Sequence, residues 1–462
     1  MPIGAVVGSP PPVTISSSRT DKKACGELRS IWEQINREIL SQRRDQWINL
    51  AFYFGQHWLW WDDSANQLRE VHNSTGSPLG NGRARTVENR IRTNWISLLS
   101  RLTSSRLAFN VPPTDSADDV VSAAKLAERV LDSLSSEGMW EQVRYDNLFN
   151  TLASGTGALC IDWDPTRGTI LSEDHRTGKV VGTGDLVVEA LDICQFGLEP
   201  GARDVSEARY WQKAMAVAPK IAQSQYKLDR LPAANVGAML SPLQQRLLAS
   251  AGRPSGVDLT LVLTHYERPH AGCPKGRHAI IVGDEVVHDG PWPFPFKRLN
   301  VVVSHQSRVP NLWYGETMLN SARCSQVLYN HINSAITDNT KLTSNPRLTA
   351  PWGYNDESDF TTNPDSILWS NPDQPNSAPH YLIAPEVSRS LFNWRAELAG
   401  AIDDIMGVHA TSRGEASFDR ASGQALALLA EKDDTPLHPM AVEQAAIWGQ
   451  IATMALEICA SK

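Results

Sequence analysis

Residues 314–342, YGETMLNSARCSQVLYNHINSAITDNTKL, decide how the rest of the chain is read. Apolar side chains recur at Met318, Ala322, Tyr329, Ile332 and Ile336, and a second row runs through Leu319, Leu328, Ala335 and Leu342. Steps of three, four and seven are helical, not the alternation of a strand. As a single helix the run spans roughly 43 Å, at about 1.5 Å per residue. Its other faces carry Asn, Ser, Gln and Thr, and after Glu316 the only formal charges are Arg323, Asp338 and Lys341. An ordinary solvent-facing helix carries more Glu and Lys. A polar, nearly uncharged face suits packing beside copies of itself, lining a wet passage, or burial within one large domain. A Pro- and Asn-rich insert, Thr343 to Pro385, follows, and a second helical run, Glu386 to Met406, comes back. Helix out, compact insert and helix back make a protruding hairpin with a small domain at its tip.

Composition bounds the alternatives. At 462 residues there is room for two or more domains, and 41% hydrophobic content is that of a globular chain. No stretch approaches the roughly 18 apolar residues of a membrane span. Met1 to Thr14 lacks the charged start and apolar core of a secretory leader. Six cysteines (Cys25, Cys160, Cys194, Cys273, Cys324, Cys459) contain no CxxC pair and read as free thiols in a reducing compartment. A net charge of −8 argues against a protein that coats DNA along its whole surface. Fifteen tryptophans suit large buried contacts, including contacts between subunits.

In chain order, Met1 to Lys23 is rich in Pro, Ser and Gly and reads as a flexible arm. A helix is expected from Gly26 to Phe54, with Leu28, Trp32, Ile35, Ile39 and Leu50 on one face, and another from Glu88 to Leu107 with Ile91, Trp95, Leu98 and Leu102. Ser116 ahead of Asp118 and Asp119 reads as a capped helix start. Trp140 to Ala153 adds a further helix. The middle is strand-like: Gly157–Trp163, Leu186–Leu191, Leu259–Tyr266, His278–Val282 and Glu285–His288. Short helices are expected at Pro219–Tyr226 and Ser241–Leu248, the latter with an N-cap and proline start. Helices, then mixed strands, then helices make the fold class α+β.

No catalytic motif stands out. There is no GxxxxGK[ST], and Ser154-Gly155-Thr156-Gly157 lacks the lysine and the strand–loop–helix context of a phosphate loop, so it reads as a tight turn. His265, His270, Cys273, His278 and His288 raise a zinc reading, a metal-dependent hydrolase, but their spacings match no common ligand pattern. Asp403 and Asp404 are adjacent, so on a helix they point about 100° apart and do not share a metal. Arg83, Arg85, Arg90 and Arg92, with Trp95 nearby, suit a nucleic-acid patch, a solvated helix start or an ion-paired interface.

Taken together, several segments resemble tailed-bacteriophage portal proteins, the ring at one capsid vertex. Tyr53-Phe54-Gly55-Gln56-His57-Trp58 looks like that family's early Tyr/Gly/Trp segment. Asn89-Arg90-Ile91 heads a helix that stops before Val111-Pro112-Pro113, and Asp146 to Gly157 leads into a strand, as in the family. Leu198-Glu199-Pro200, Asp204 and Ala208-Arg209 resemble its "DP … D … AR" run, with Glu where Asp is usual. Tyr314-Gly315-Glu316 with Asn330 resembles the start of its stem helix, and Ser422-Gly423-Gln424-Ala425 the stretch after its tunnel loop. The segments fall in the family's order between Gln46 and Leu429, and that order is their specific part.

The resemblance implies a portal fold: arm 1–24, wing 25–312, stem helix 313–342, clip 343–385, second stem helix 386–406, tunnel loop 407–421, and a return to the wing over 422–462 with a short or absent crown. It implies a structural role, not an enzyme: a homo-oligomer, expected as a 12-mer, that passes double-stranded DNA and docks the terminase large subunit, the major capsid or scaffolding protein and a tail adaptor, with no cofactor or metal. Channel candidates are Lys341, Ser412, Arg413, Glu415, Ser417 and Arg420; clip contacts are Trp352, Tyr354, Asp356 and Trp369. The mixed charge over His409–Arg420 suits passing contact, since a strongly basic loop would bind phosphate tightly. The clip stretch is acidic, with Asp356, Glu357, Asp359, Asp365 and Asp373 against Arg347. The remaining alternative is another virion structural protein such as an adaptor.

Overall fold

The structure is a computed structural model, and it describes residues 22–62, 64, 67–70, 84–164, 168, 170–174, 179–228, 230–232, 259–344, 347–349, 380–382, 385–408 and 435–461. The chain opens with α1 (Lys22–Glu38) and α2 (Leu40–Tyr53), then the hairpin β1 (Leu59–Asp62) and β2 (Gln67–Glu70). Next come α3 (Arg90–Leu102), α4 (Asp118–Glu137), α5 (Trp140–Ser154), β3 (Thr156–Asp164), β4 (Ile170–Asp174), β5 (Lys179–Gly182), β6 (Asp185–Leu191), β7 (Phe196–Leu198), β8 (Tyr210–Val217) and α6 (Pro219–Tyr226). The second half has β9 (Thr260–Glu267), β10 (Arg277–Val282), β11 (Glu285–Gly290), β12 (Val301–His305), β13 (Ser307–Arg308) and β14 (Gly315–Glu316). It ends with α7 (Leu319–Ser344), β15 (Arg347–Thr349), β16 (His380–Leu382), α8 (Arg389–Ile405) and α9 (His438–Ser461). The fold is α+β, as its sequence pattern indicates.

The expected first helix is two helices, meeting at Ile39. The apolar face survives the break: Leu28, Trp32, Ile35 and Ile39 are all buried, so the core and not helix continuity fixes this segment. At the start of α4 the expected Ser116 cap is not formed; Ala117 occupies the N-cap position without a side-chain bond, and Asp118 and Asp119 alone supply first-turn charge. The hairpin's outgoing helix begins five residues later than expected, because Gly315–Glu316 pairs as a strand with Ser307–Arg308. The expected helix at Ser241–Leu248 lies outside the described residues.

Two antiparallel sheets form the centre. One has five strands in the order β11-β10-β9-β8-β7, the other three in the order β12-β3-β6. The sequence reading assigned no strand to Tyr210–Val217 or Val301–His305. Val301–His305 is buried throughout and Trp211–Ala214 at four successive positions, so neither shows the polar–apolar alternation that marks a half-exposed strand. β3 is buried from Thr156 through Ile161, with α5 and α9 packed against it. Asn300 ties the two sheets together: its Oδ1 accepts from Trp211 Nε1 at 2.9 Å, and its Nδ2 donates to the Ile161 carbonyl at 3.0 Å. α1 and α9, from opposite ends of the described chain, share this core.

A second core lies where α2, α3, α5 and the α7–α8 hairpin meet, around Phe52, Trp95, Leu98, Leu148, Tyr329, Ile402 and Met406. Trp95 is fully buried there, and truncating such a side chain costs about 3–5 kcal/mol. Trp32, Trp47, Trp95, Trp140, Trp211, Trp313 and Trp448 are all buried within the chain, so most of the described tryptophans serve its own cores.

Candidate functional site

The α7–α8 hairpin is antiparallel. Asn339 of α7 donates to the Pro385 carbonyl just before α8, and Arg395 of α8 reaches the Tyr329 hydroxyl on α7. Its root is seated and its far part is not. Ala322, Gln326, Tyr329, Asn330, Ile332 and Ser334 of α7 are buried, but no residue from Ala335 to Ser344 is. Within α8 only Ile402 is buried. Leu328, Leu342, Phe392 and Trp394 are exposed, which leaves apolar surface on both arms of the projection.

The polar row of α7 does not face outward, as a helix packed only on copies of itself would allow. Gln326, Asn330, Ser334 and Asp338 follow at four-residue steps, so they share one side of the helix. The segment 84–91 runs along that side. Asp338 Oδ1 accepts from the Ala84 amide at 2.7 Å, and Ser334 Oγ from the Thr86 amide at 3.2 Å. Gln326 Oε1 accepts from the amides of Arg90 and Ile91, and its Nε2 donates to the Glu88 carbonyl at 2.8 Å and to Asn330 Oδ1 at 3.0 Å. Asn330 Nδ2 then donates to His57 Nδ1 at 2.7 Å, and His57 Nε2 donates to the Phe52 carbonyl at 2.9 Å. Asn89 Nδ2 donates to the same carbonyl at 2.6 Å, while Asn89 Oδ1 caps α3 by accepting from the Arg92 amide. Burial holds the His57 pKa below its ordinary value, against the opposing effect of the Phe52 carbonyl.

Three of the segments singled out in the sequence therefore converge: Tyr53–Trp58, Asn89–Ile91 and the start of the outgoing helix with Asn330. The returning helix joins them through Asp403, which accepts from Arg90 Nη2 at 2.6 Å and Asn94 Nδ2 at 2.8 Å. From the other side α2 grips the first turns of α7: Asp45 accepts from Asn320 at 3.0 Å and from Arg323 at 3.2 Å. Sequence reasoning missed Gln326, Ser334 and Asp338 as a set; their four-residue spacing between apolar rows was the available signal.

Two further contacts join singled-out residues, while Ser422-Gly423-Gln424-Ala425 lies outside the described residues. Gly155 ends α5 at φ +81°, and a Cβ there would lie 2.8 Å from Glu316 Cα. The Gly315 amide donates to Thr156 Oγ1 at 2.9 Å, and a Cβ on Gly315 would stand 2.6 Å from the Ser307 carbonyl oxygen. Both glycines are needed for this close backbone approach. Glu199 accepts from the Arg209 amide and Nε, each at 2.8 Å. Burial alone would raise the Glu199 pKa; the Arg209 hydrogen bonds outweigh it and hold the carboxyl below its ordinary value.

Of the named channel and clip candidates, Lys341 sits exposed in the last turn of α7, 3.9 Å from Asp338. Ser412, Arg413, Glu415, Ser417, Arg420, Trp352, Tyr354, Asp356 and Trp369 lie outside the described residues. Of the arginine cluster, Arg83 lies outside the described residues; Arg90 is not free but paired with Asp403, and Arg92 lies over the Tyr53 ring, 5.4 Å from its centroid. Nor do the histidines form a metal centre. His270 Nε2 is bonded to Glu267 at 2.8 Å, and His278 stacks on Tyr266 with its pKa driven down to about 3 by burial, then by His288 and His265. Among the described residues no group of three or more His, Cys, Asp or Glu side chains is placed to hold a metal ion. No helix among them is long and apolar enough to cross a membrane.

No curated protein matches the chain. Residues 270–456, which carry Gln326, Asn330 and Asp403 but not His57, Asn89 or Arg90, match the family model described as phage P22-like portal protein, a match that supports the resemblance to tailed-phage portal proteins.

Proposed function

We propose that copies of this chain close into a ring, a dodecamer, at one vertex of a phage capsid, where the ring passes double-stranded DNA during packaging and ejection. The observation that carries this reading is the hairpin with its buried, cross-braced root and an unburied far part, lying inside the stretch matched to the portal family. A projection whose root is locked by Gln326, Asn330 and Asp403 holds its direction, and repetition around an axis turns fixed direction into a channel wall. The exposed apolar side chains Leu328, Leu342, Phe392 and Trp394 suit burial against neighbouring copies.

In this reading residues 313–342 and 386–406 are the stem and 25–312 the wing. Residues 343–385 form the clip that meets the terminase large subunit and later a tail adaptor, with Trp352, Tyr354, Asp356 and Trp369 as contacts. Residues 407–421 are the loop nearest DNA, with Ser412, Arg413, Glu415, Ser417 and Arg420, and Lys341 contributes from the stem. The major capsid or scaffolding protein surrounds the wing. The ring belongs to the virion and assembles in the host cytoplasm. The conduit has no chemistry of its own.

Images of the purified protein test this directly. Closed rings with a central hole and rotational symmetry are expected. Monomers or small dimers alone, under all salt conditions, would overturn the reading.

A further inference from the structure

We propose that the hydrogen bond between His57 and Asn330 is a proton-operated latch, which holds the root of the α7–α8 hairpin to the end of α2 while His57 is neutral and releases it when His57 takes a proton. This rests on reading the hairpin as a stem that must keep its direction.

Backbone groups fix the polarity of the chain of side chains. The amides of Arg90 and Ile91 can only donate, so the Gln326 atom they meet is its oxygen. The Glu88 carbonyl can only accept, so the other end of Gln326 is its nitrogen. That nitrogen also donates to Asn330, which therefore presents Oδ1 to Gln326 and Nδ2 to His57. His57 Nδ1 must then be the bare, accepting nitrogen. At the far side the Phe52 carbonyl accepts, so His57 Nε2 carries the hydrogen. One tautomer satisfies every partner, and it is neutral.

A second proton, taken from solvent onto Nδ1, turns the acceptor into a donor facing the Asn330 NH₂ group. Turning the Asn330 amide over only moves the conflict, because its NH₂ would then face the Gln326 NH₂. Gln326 cannot turn in response, since Glu88 and Arg90 hold it at both ends. The bond to Asn330 therefore breaks, and with it the hydrogen bond from the His57 loop to the buried face of α7. His57 is buried and its ring stacks on Phe52 with centroids 4.6 Å apart, so no water readily replaces the lost partner.

The charged and titratable groups on the surrounding elements are otherwise engaged. Arg90 pairs with Asp403 of α8, and Arg395 of α8 with Glu88 at 3.4 Å. Asp45 of α2 pairs with Arg323 of α7. His331 of α7 is exposed and sets its ring edge-on to Trp58. None of these places a carboxylate against His57 that would stabilise an imidazolium.

The test is hydrogen–deuterium exchange on the full-length protein, read on peptides covering 84–91 and 326–338 and corrected for the intrinsic pH dependence of exchange. In the natural protein, protection of these amides is expected to fall several-fold as the pH drops below the ordinary histidine range, because the latched state excludes the proton that the released state takes. His57→Asn puts a permanent acceptor where Nδ1 stood, and its protection at these peptides should not change with acid. This also separates His57 from His331. Asn330→Asp offers an acceptor to a protonated ring, so acid should leave protection unchanged or raise it. The same acid-dependent loss in His57→Asn, or in Asn330→Asp if the first variant does not fold, would overturn the latch. Ring formation is read separately from particle images, so failure of the latch leaves the ring standing and failure of the ring does not imitate it.

Discussion

Arg90 and Asp403 stand 313 positions apart in the chain and meet with Arg90 Nη2 2.6 Å from Asp403 Oδ2. The pair fastens the returning helix of the hairpin to the head of α3, and Asn94 donates to the carboxylate's other oxygen. Asp403→Ala leaves a largely buried guanidinium and a buried amide without their acceptor. The expected cost is about 2 kcal/mol, less than for a fully buried pair because both charged groups keep some water. A thermal midpoint lowered by a few degrees, with faster proteolytic cutting at the hairpin root, is the expected result. Asp403→Asn should recover part of the loss, since it keeps one acceptor.

Glycines 155 and 201 share nearly the same backbone angle, φ +81° and +80°, in different surroundings. At Gly201 a Cβ would meet nothing within 4 Å, so Gly201→Ala carries only the left-handed backbone strain, about 1 kcal/mol. At Gly155 the Cβ would press on the Glu316 backbone, which has no soft side chain to yield. Gly155→Ala should therefore cost several times more than Gly201→Ala and displace β14 and the start of α7. Comparing the two thermal midpoints checks this; equal losses would mean that the approach of β14 to Gly155 is not fixed.

Acid should weaken the five-stranded sheet through His278. Its folded pKa, about 3, lies below the ordinary 6.5, with burial the main cause. Between those values the unfolded chain binds a proton that the folded chain refuses, so stability rises with pH across that window and is lost as pH falls through it. One and a half units below the ordinary value the loss is roughly 2 kcal/mol. His278→Phe, which keeps the stacking on Tyr266, should flatten the pH profile of the unfolding midpoint between about pH 6.5 and 4. An unchanged slope would place the acid sensitivity elsewhere.

The hairpin was legible because its apolar rows repeat at helical spacing and its insert is rich in proline and asparagine. The role of its polar row was less so. Gln326, Asn330 and Ser334 look alike whether they face water, a neighbouring copy or the chain's own backbone, and only the path of residues 84–91 decides between these. Strands β8 and β12 were hidden for the opposite reason: burial on both faces removes the alternation that reveals a strand. The pairing of Glu199 with Arg209 and of Gly155 with Gly315 could be suspected from motif order. That each pair is a direct contact required the fold, because sequence spacing does not say which turns touch.

The last prediction concerns the segment His409–Arg420, read as the loop nearest DNA. Its charges are mixed: Arg413 and Arg420 against Glu415 and Asp419. If DNA slides past it, the acids serve to keep the basic groups from holding phosphate. Deleting Ser412 to Phe418 should leave rings intact and impair packaging or DNA retention; loss of the rings would instead make the segment structural. Replacing Glu415 and Asp419 with lysine should act in the opposite sense. Each lysine that gains a phosphate contact releases counterions and adds about 0.9 to the slope of log affinity against log salt. Multiplied around a ring, that grip should slow translocation at low salt and relax as salt rises. Packaging rates in the variant that respond to salt no more than those of the natural protein would place this segment away from the DNA path.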